Sequence, residues 1–303
     1  MLPLEGKVAV ITGATSGIGA RTAEVFVANG ANVVIAGRRQ DRGEKLARKL
    51  GDAASFIRTD VCAEADVKAM IDHAVDRFGR LDCLMNNAGR GSQYAAIAEV
   101  DLEQFDAVIA VHLRAVLAGM KYATRVMAVK GAGSIINVAS VNGFRAGLGG
   151  YYYSAAKAAS IHLTRCAAME LGEKGIRVNS LSPGMIATGG FAKYMGMQPD
   201  EADDHPEYAE DAIDSVAKRW QPLQYVGRTD DIASRAVPGQ RRVPFRDGTE
   251  PGRGWGHQCR LGDRRCPTRP RIVFPHNSGG RDGPFRIAKV PCRQAMMTGS
   301  SEP

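Results

Sequence analysis

Short apolar runs alternate with longer amphipathic stretches through the first three quarters of the chain. Residues 7–12 (KVAVIT) are apolar almost throughout, the pattern of a strand buried on both faces of a parallel sheet. A glycine-rich turn follows, then a helical period over residues 20–29. Residues 32–36 (NVVIA) form the next predicted strand and 39–50 a charged helix. Further strands are predicted at 55–58, 83–86, 134–139 (SIINVA) and 177–181, and helices at 64–78, 102–129 and 153–171. Strands alternating with helices of this length imply βαβ units and a parallel α/β sheet covered on both faces.

From Ser234 the period stops. Residues 234–303 hold 14 of the 40 Lys+Arg, 13 of them Arg, 5 of the 32 Asp+Glu, and nine of the 14 prolines. The tail therefore carries +9, while residues 1–233, with 26 basic and 27 acidic side chains, carry −1. The chain's overall +8 thus belongs to the tail. A nearly neutral folded part fits a small-molecule enzyme better than a nucleic-acid binder. Two segments are expected: a folded domain, 1–233, and a largely disordered tail, 234–303. The six cysteines lack paired spacing, which predicts reduced, mostly buried thiols. The segment MLPLEGKVAV lacks the basic-then-apolar layout of a signal peptide, and no apolar run reaches membrane-spanning length. A cytoplasmic protein without membrane or nucleic-acid partners is expected.

Three groups of residues carry chemistry. Gly13, Thr15, Ser16, Gly17, Ile18 and Gly19 join a strand to a helix, where glycines admit a pyrophosphate and the helix N-terminus attracts it. At the end of the second strand, Gly37 replaces an acid that would bind a ribose 2′-hydroxyl, and Arg38 and Arg39 can pair with a 2′-phosphate. This favours NADP(H), with NAD(H) as the alternative. Tyr153 and Lys157 lie four apart on one helix face, where an ammonium favours the phenolate and suits Tyr153 to acid–base work. Ser140 ends a predicted strand, where its hydroxyl can hold a substrate oxygen.

Taken together, TGATSGIG (12–19), TDV (59–61), NNAG (86–89), INVAS (136–140), YSAAK (153–157) and RVNSLSPGMIAT (177–188) resemble a short-chain dehydrogenase/reductase of the classical type. They stand in family order and spacing across residues 4–233. The resemblance implies a three-layer αβα, Rossmann-like, doubly wound sheet and hydride transfer between a nicotinamide cofactor and an alcohol/carbonyl pair. It implies that Asp60 and Val61 hold the adenine, that Asn87 lies beside the ribose with Ala88 and Gly89, and that Ile186 and Thr188, after Pro183 and Gly184, hold the carboxamide. Tyr153 would be the proton donor and Ser140 would orient the substrate oxygen. Lys157 would bind the nicotinamide ribose and lower the Tyr153 pKa. No metal is implied, and a homodimer or homotetramer is the family's usual state.

His112 departs from the family, which has Asn there in a water-linked proton relay to the Lys. Imidazole can also donate and accept, so a relay role and an internal structural histidine both stay open. Residues 189–223 correspond to a substrate lid. Phe191, Tyr194, Met195 and Met197 would either line an apolar pocket or pack the lid on the body.

The family closes with a helix AVLFLAS, then VTG, then LVVDGG, all absent from this chain. Read one base later, the codons of residues 234–240 are compatible with AVLFLAS, those of 246–248 with VTG and those of 251–256 with LVVDGG. Three matches in register point to a displaced reading frame at or just before Ser234. The competing reading, a basic nucleic-acid-binding tail, lacks aromatic interleaving and zinc-type Cys/His spacing. Loss of the final helix and strand predicts low solubility, weak NADP(H) binding and impaired oligomer contacts. A catalytically impaired nucleotide-binding relic is therefore the alternative to an active oxidoreductase.

Overall fold

A computed structural model describes residues 2–91, 95–147, 149–190 and 227–237, all within the unit Met1–Glu250. Its centre is one parallel sheet of β1 (Val8–Thr12), β2 (Asn32–Gly37), β3 (Ala54–Arg58), β4 (Cys83–Asn86), β5 (Gly133–Val138) and β6 (Ile176–Leu181). The strand order is β3-β2-β1-β4-β5-β6, so the winding reverses between β1 and β4. Helices fill the crossovers: α1 (Gly17–Ala28), α2 (Gln40–Leu50), α3 (Glu64–Phe78), α4 (Leu102–Ile109), α5 (Ala115–Lys130) and α6 (Tyr151–Leu171). The last helix among the described residues is α7 (Thr229–Ala236). This is the doubly wound αβα fold the sequence predicts, and ligands of such sheets bind where the winding reverses, beyond the strands' carboxyl ends.

Alternation within β1 shows why these runs are strands. Val8 and Val10 face Met70 of α3 and Met120 of α5, while Ala9 and Ile11 join Phe26 of α1 on the other side. Each large apolar side chain so buried contributes roughly 1.5–3 kcal/mol. Polar residues enter these strands near their carboxyl ends: Thr12, Asn86 and Asn137 are all buried.

At the opposite end of the sheet, Asp82 is saturated with donors. Its carboxylate accepts from Arg80 Nε (2.7 Å) and Nη2 (2.8 Å), from the Val8 backbone N–H (3.0 Å) and from Lys130 Nζ. Burial raises the Asp82 pKa, but the bonds from Arg80, Lys130 and Val8 outweigh it and hold the carboxyl below its ordinary value.

Four sequence expectations shift. The predicted helix 102–129 is interrupted by a π-helical turn, Ala110–Arg114. The stretch Leu102–Lys130 does reach membrane-spanning length, at a mean hydropathy of 1.2. Its apolarity has a different cause: Val116, Met120, Ala123 and Met127 cover a buried sheet face. Among the cysteines described, all free, Cys83 is buried, Cys62 is half-buried and Cys166 lies on the solvent side of α6. Finally, α7 runs through the predicted break at Ser234. Ile232, Ala233 and Ala236 form its buried stripe, Ala236 and Val237 join the cluster around α1, and Arg21 pairs with Asp230 at 2.7 Å. Apolar residues at helical spacing suffice to extend the helix past 233. The rest of the tail, 238–303, and the lid residues Phe191, Tyr194, Met195 and Met197 lie outside the described residues.

Candidate active site

The glycine-rich turn is pressed against the loop after β4. Gly13 has φ 65°, and a Cβ there would lie 2.8 Å from Ala88 Cα. A Cβ on Gly19 would lie 2.5 Å from Gly13 O. Bare backbone is therefore required at both positions. Thr12 Oγ1 accepts from the N–H groups of Asn87 (2.9 Å) and Ala88 (3.0 Å), and Asn87 Nδ2 donates to Thr12 O at 2.9 Å. The Asn87 carboxamide thus clamps the turn itself. Gly17 (φ 54°) opens α1, Ser16 is its N-cap, and Ile18 is half-buried behind. Thr188 sits over this entry: a Gly17 Cβ would meet its Cγ2 at 3.6 Å. The N–H groups of the first turn of an α-helix lack intrahelical partners, and here they suit a phosphate.

At the end of β2, a Cβ on Gly37 would approach Thr15 Cγ2 to 2.8 Å. Arg39 donates to Thr15 Oγ1 (3.0 Å) and Ser16 Oγ (2.7 Å), bracing the turn, while Arg38 is exposed. Arg58, which pattern reading passes over, is the register partner of Gly37 on β3 and is also exposed. Asp60 caps the next turn, its Oδ1 accepting from Cys62 N at 3.0 Å. Val61 lines a small cavity with Thr12, Asn86, Ala88 and Val111.

Beyond β5 lie the titratable groups. Ser140 is buried, its Oγ accepts from the Asn142 N–H at 3.2 Å, and it works against the rise of the Tyr153 pKa. Lys157, 5% exposed, donates from Nζ to Val138 O at 2.6 Å, and Nζ lies 5.4 Å from the Tyr153 ring centroid. Burial brings the Lys157 pKa down to about 7. Burial also raises the Tyr153 pKa, and the opposing influence comes from Ser140. The sequence expects Lys157 to lower the phenol. In this structure the ammonium is itself disfavoured by burial and donates to Val138 O, and the influence that opposes the raised phenol pKa comes from Ser140.

His112 enters from the π-helical turn, 2% exposed, and stands edge-to-face with Tyr153 at 5.1 Å and 89°. The segment after β6 closes the site. Pro183 O accepts from Val141 N (3.1 Å), and Gly184 leads to Ile186, which bridges to Gly227; Ala187 N donates to Gly227 O at 3.0 Å. The two predicted groups, turn and tyrosine helix, therefore meet at one edge of one sheet. The arrangement offers a cradle for phosphates, cationic side chains at one end, and at the other a buried hydroxyl and amine flanking a half-buried phenol. That combination suits a dinucleotide and proton exchange with an oxygen.

Comparison with known proteins agrees. The short chain dehydrogenase family profile matches residues 7–198. Momilactone A synthase of Oryza sativa subsp. japonica is 42% identical over 238 residues, 77% of this chain and 83% of that protein. (+)-Borneol dehydrogenase 2 of Salvia officinalis is 42% identical over 190 residues, 62% of this chain and 67% of that protein. Among solved structures, 3-ketoacyl-(acyl-carrier-protein) reductase from Brucella melitensis, complexed with NADH, superposes with a TM-score of 0.67 at 32% identity. It covers 77% of this chain and 90% of its own. The chain belongs to the short-chain dehydrogenase family of NAD(P)-dependent oxidoreductases.

Proposed function

We propose that the carboxyl edge of the sheet binds NADP(H) and interconverts a bulky apolar secondary alcohol and its ketone, with Tyr153 as acid and base. The observation that carries this reading is the grouping of buried Ser140 and Lys157 with half-buried Tyr153 at the sheet edge that also carries the glycine-rich turn. When bound, the nicotinamide ring supplies or accepts the hydride. Gly13 and residues 15–19 take the pyrophosphate. Asp60 and Val61 take the adenine, Asn87, Ala88 and Gly89 flank the ribose, and Ile186 and Thr188 take the carboxamide, with Pro183 and Gly184 setting their approach. Lys157 holds the nicotinamide ribose.

Ser140 donates a hydrogen bond to the substrate oxygen, and Tyr153 gives that oxygen a proton in reduction and removes it in oxidation. Preference for NADP(H) is supported by Gly37, where no carboxylate repels a 2′-phosphate, and by the exposed Arg38 beside Arg39. A bulky apolar substrate is supported by exposed Phe144 and Tyr151, on the segments that carry Ser140 and Tyr153, and by the named activity of the borneol dehydrogenase. Packing of the apolar helix on the sheet supports a core helix rather than a membrane span.

The test is NADP-linked oxidation of a panel of secondary alcohols, borneol included, by the 303-residue chain and by a chain with the reading frame restored after residue 233. Turnover in both supports the assignment. Turnover only in the restored chain places a defect in the tail, and turnover in neither, despite cofactor binding, overturns it in favour of a relic. Displacement of the frame is decided by the gene's DNA. A shifted frame that lacks AVLFLAS, VTG and LVVDGG rules it out.

A further inference from the structure

The imidazole of His112 is wedged between two parts of the site. On one side, Nε2 meets the backbone of Arg90, 2.8 Å from its carbonyl oxygen and 3.1 Å from its N–H. Only one of these can be satisfied in a given tautomer, and either choice leaves the buried Nδ1 without a partner among the described residues. On the same side, a Cβ on Gly89 would stand 2.9 Å from His112 Cε1, so the ring occupies the space a side chain at 89 would need. On the other side, the ring stands edge-to-face with Tyr153. Aromatic pairs in this arrangement add about 0.5–1.5 kcal/mol beyond their burial. The π-helical turn supplies the approach, since the extra residue in that turn redirects the backbone at His112.

We infer that His112 is a positioning residue that couples the 87–90 loop to the Tyr153 phenol, so that the loop's placement and the ring's orientation are set together. The inference rests on the reading of residues 87–89 as a wall of the cofactor site. Burial and the neighbouring Lys157 push the His112 pKa down to about 3, so the ring stays uncharged where a cation would repel Lys157. A neutral ring that holds both neighbours by shape and one hydrogen bond differs from a proton carrier in a checkable way. Ring shape matters to the first, and nitrogen chemistry to the second.

The experiment is a double-mutant cycle read by the fluorescence of bound NADPH, on the full 303-residue chain. Gly89→Ala pushes a methyl group into the ring and raises the NADPH Kd about tenfold when His112 is present. In His112→Ala the same change raises Kd less than about twofold, because the space is free. Additive effects overturn the coupling. Failure of both the unmutated chain and the chain with its reading frame restored after residue 233 to bind NADPH overturns the cofactor reading on which it rests.

A second arm measures borneol oxidation with NADP. His112→Ala lowers kcat at least about tenfold with little change in KM for borneol. His112→Phe, which keeps a ring and has no nitrogen, recovers kcat to within about threefold of the unmutated chain. A Phe variant as slow as the Ala variant would overturn the positioning role and return the residue to proton transfer.

Discussion

The two ends of the sheet hold buried polar groups of opposite character. At the amino end, Asp82 receives bonds from Arg80, Lys130 and Val8, and the charge is held by what surrounds it. At the carboxyl end, Lys157 has one carbonyl partner, His112 Nδ1 has none among the described residues, and burial works against the charged forms of Tyr153, Lys157 and His112. A closed network stabilises; an open one leaves valences for a ligand and pKa values shifted by burial. The same fold therefore keeps its staple at one end of the sheet and its proposed chemistry at the other.

The sharpest break of this contrast is Tyr153→Phe. Removing one oxygen at the open end lowers kcat at least about 100-fold. The melting temperature stays within about 2 °C, as for a change that deletes no packing.

The next effect is in the pH dependence of stability. The Lys157 pKa is lowered from 10.5 to about 7 in the folded chain. Between those values the unfolded chain binds more protons, so this residue makes stability rise with pH. The rise is on the order of 2–4 kcal/mol across the window. Lys157→Met removes it, as urea titrations at pH 7 and pH 10 would show. Asp82 acts with the same sign in an acidic window. Its folded pKa lies below the ordinary 3.8, so its contribution is fully present above that value and is lost as pH falls through the folded pKa.

Asp82→Ala follows in size. It frees Arg80 and Lys130 to solvent but strands the Val8 N–H and leaves a gap, which costs roughly 2–3 kcal/mol. Guanidinium unfolding measures it, and kcat per folded molecule is unchanged. The smallest expected effect is on selectivity. Gly37→Asp brings a carboxylate to the end of β2 beside Thr15 and lowers the preference for NADPH over NADH by about tenfold. Competition between the two cofactors reads it.

Much of this was legible in the amino-acid sequence, for physical reasons that also mark where legibility ended. Strands buried on both faces must be apolar runs, so β1, β2, β4 and β5 stand out, and the doubly wound order came with the family resemblance. The turn and the Tyr–Lys pair are local patterns, visible without a fold. What stayed hidden depends on tertiary placement. Arg58 becomes interesting only through its register with Gly37. The Asn87 side chain bonds a turn 74 residues away. The π-helical turn inserts into a helix without altering its apolar pattern enough to be seen. The stripe Ile232, Ala233 and Ala236 is too short, and too deeply set in arginine-rich text, to announce α7 across Ser234.

The central claim is that the open end of the sheet is where chemistry happens and the closed end is not. Its most direct measurement is steady-state NADP-linked borneol oxidation by the 303-residue chain, with Tyr153→Phe and Asp82→Asn compared at equal folded concentration. The account predicts that Tyr153→Phe loses turnover at least about 100-fold while still binding NADPH, and that Asp82→Asn keeps kcat within about twofold. Turnover that survives Tyr153→Phe, or that falls with Asp82→Asn in molecules that remain folded, would contradict it.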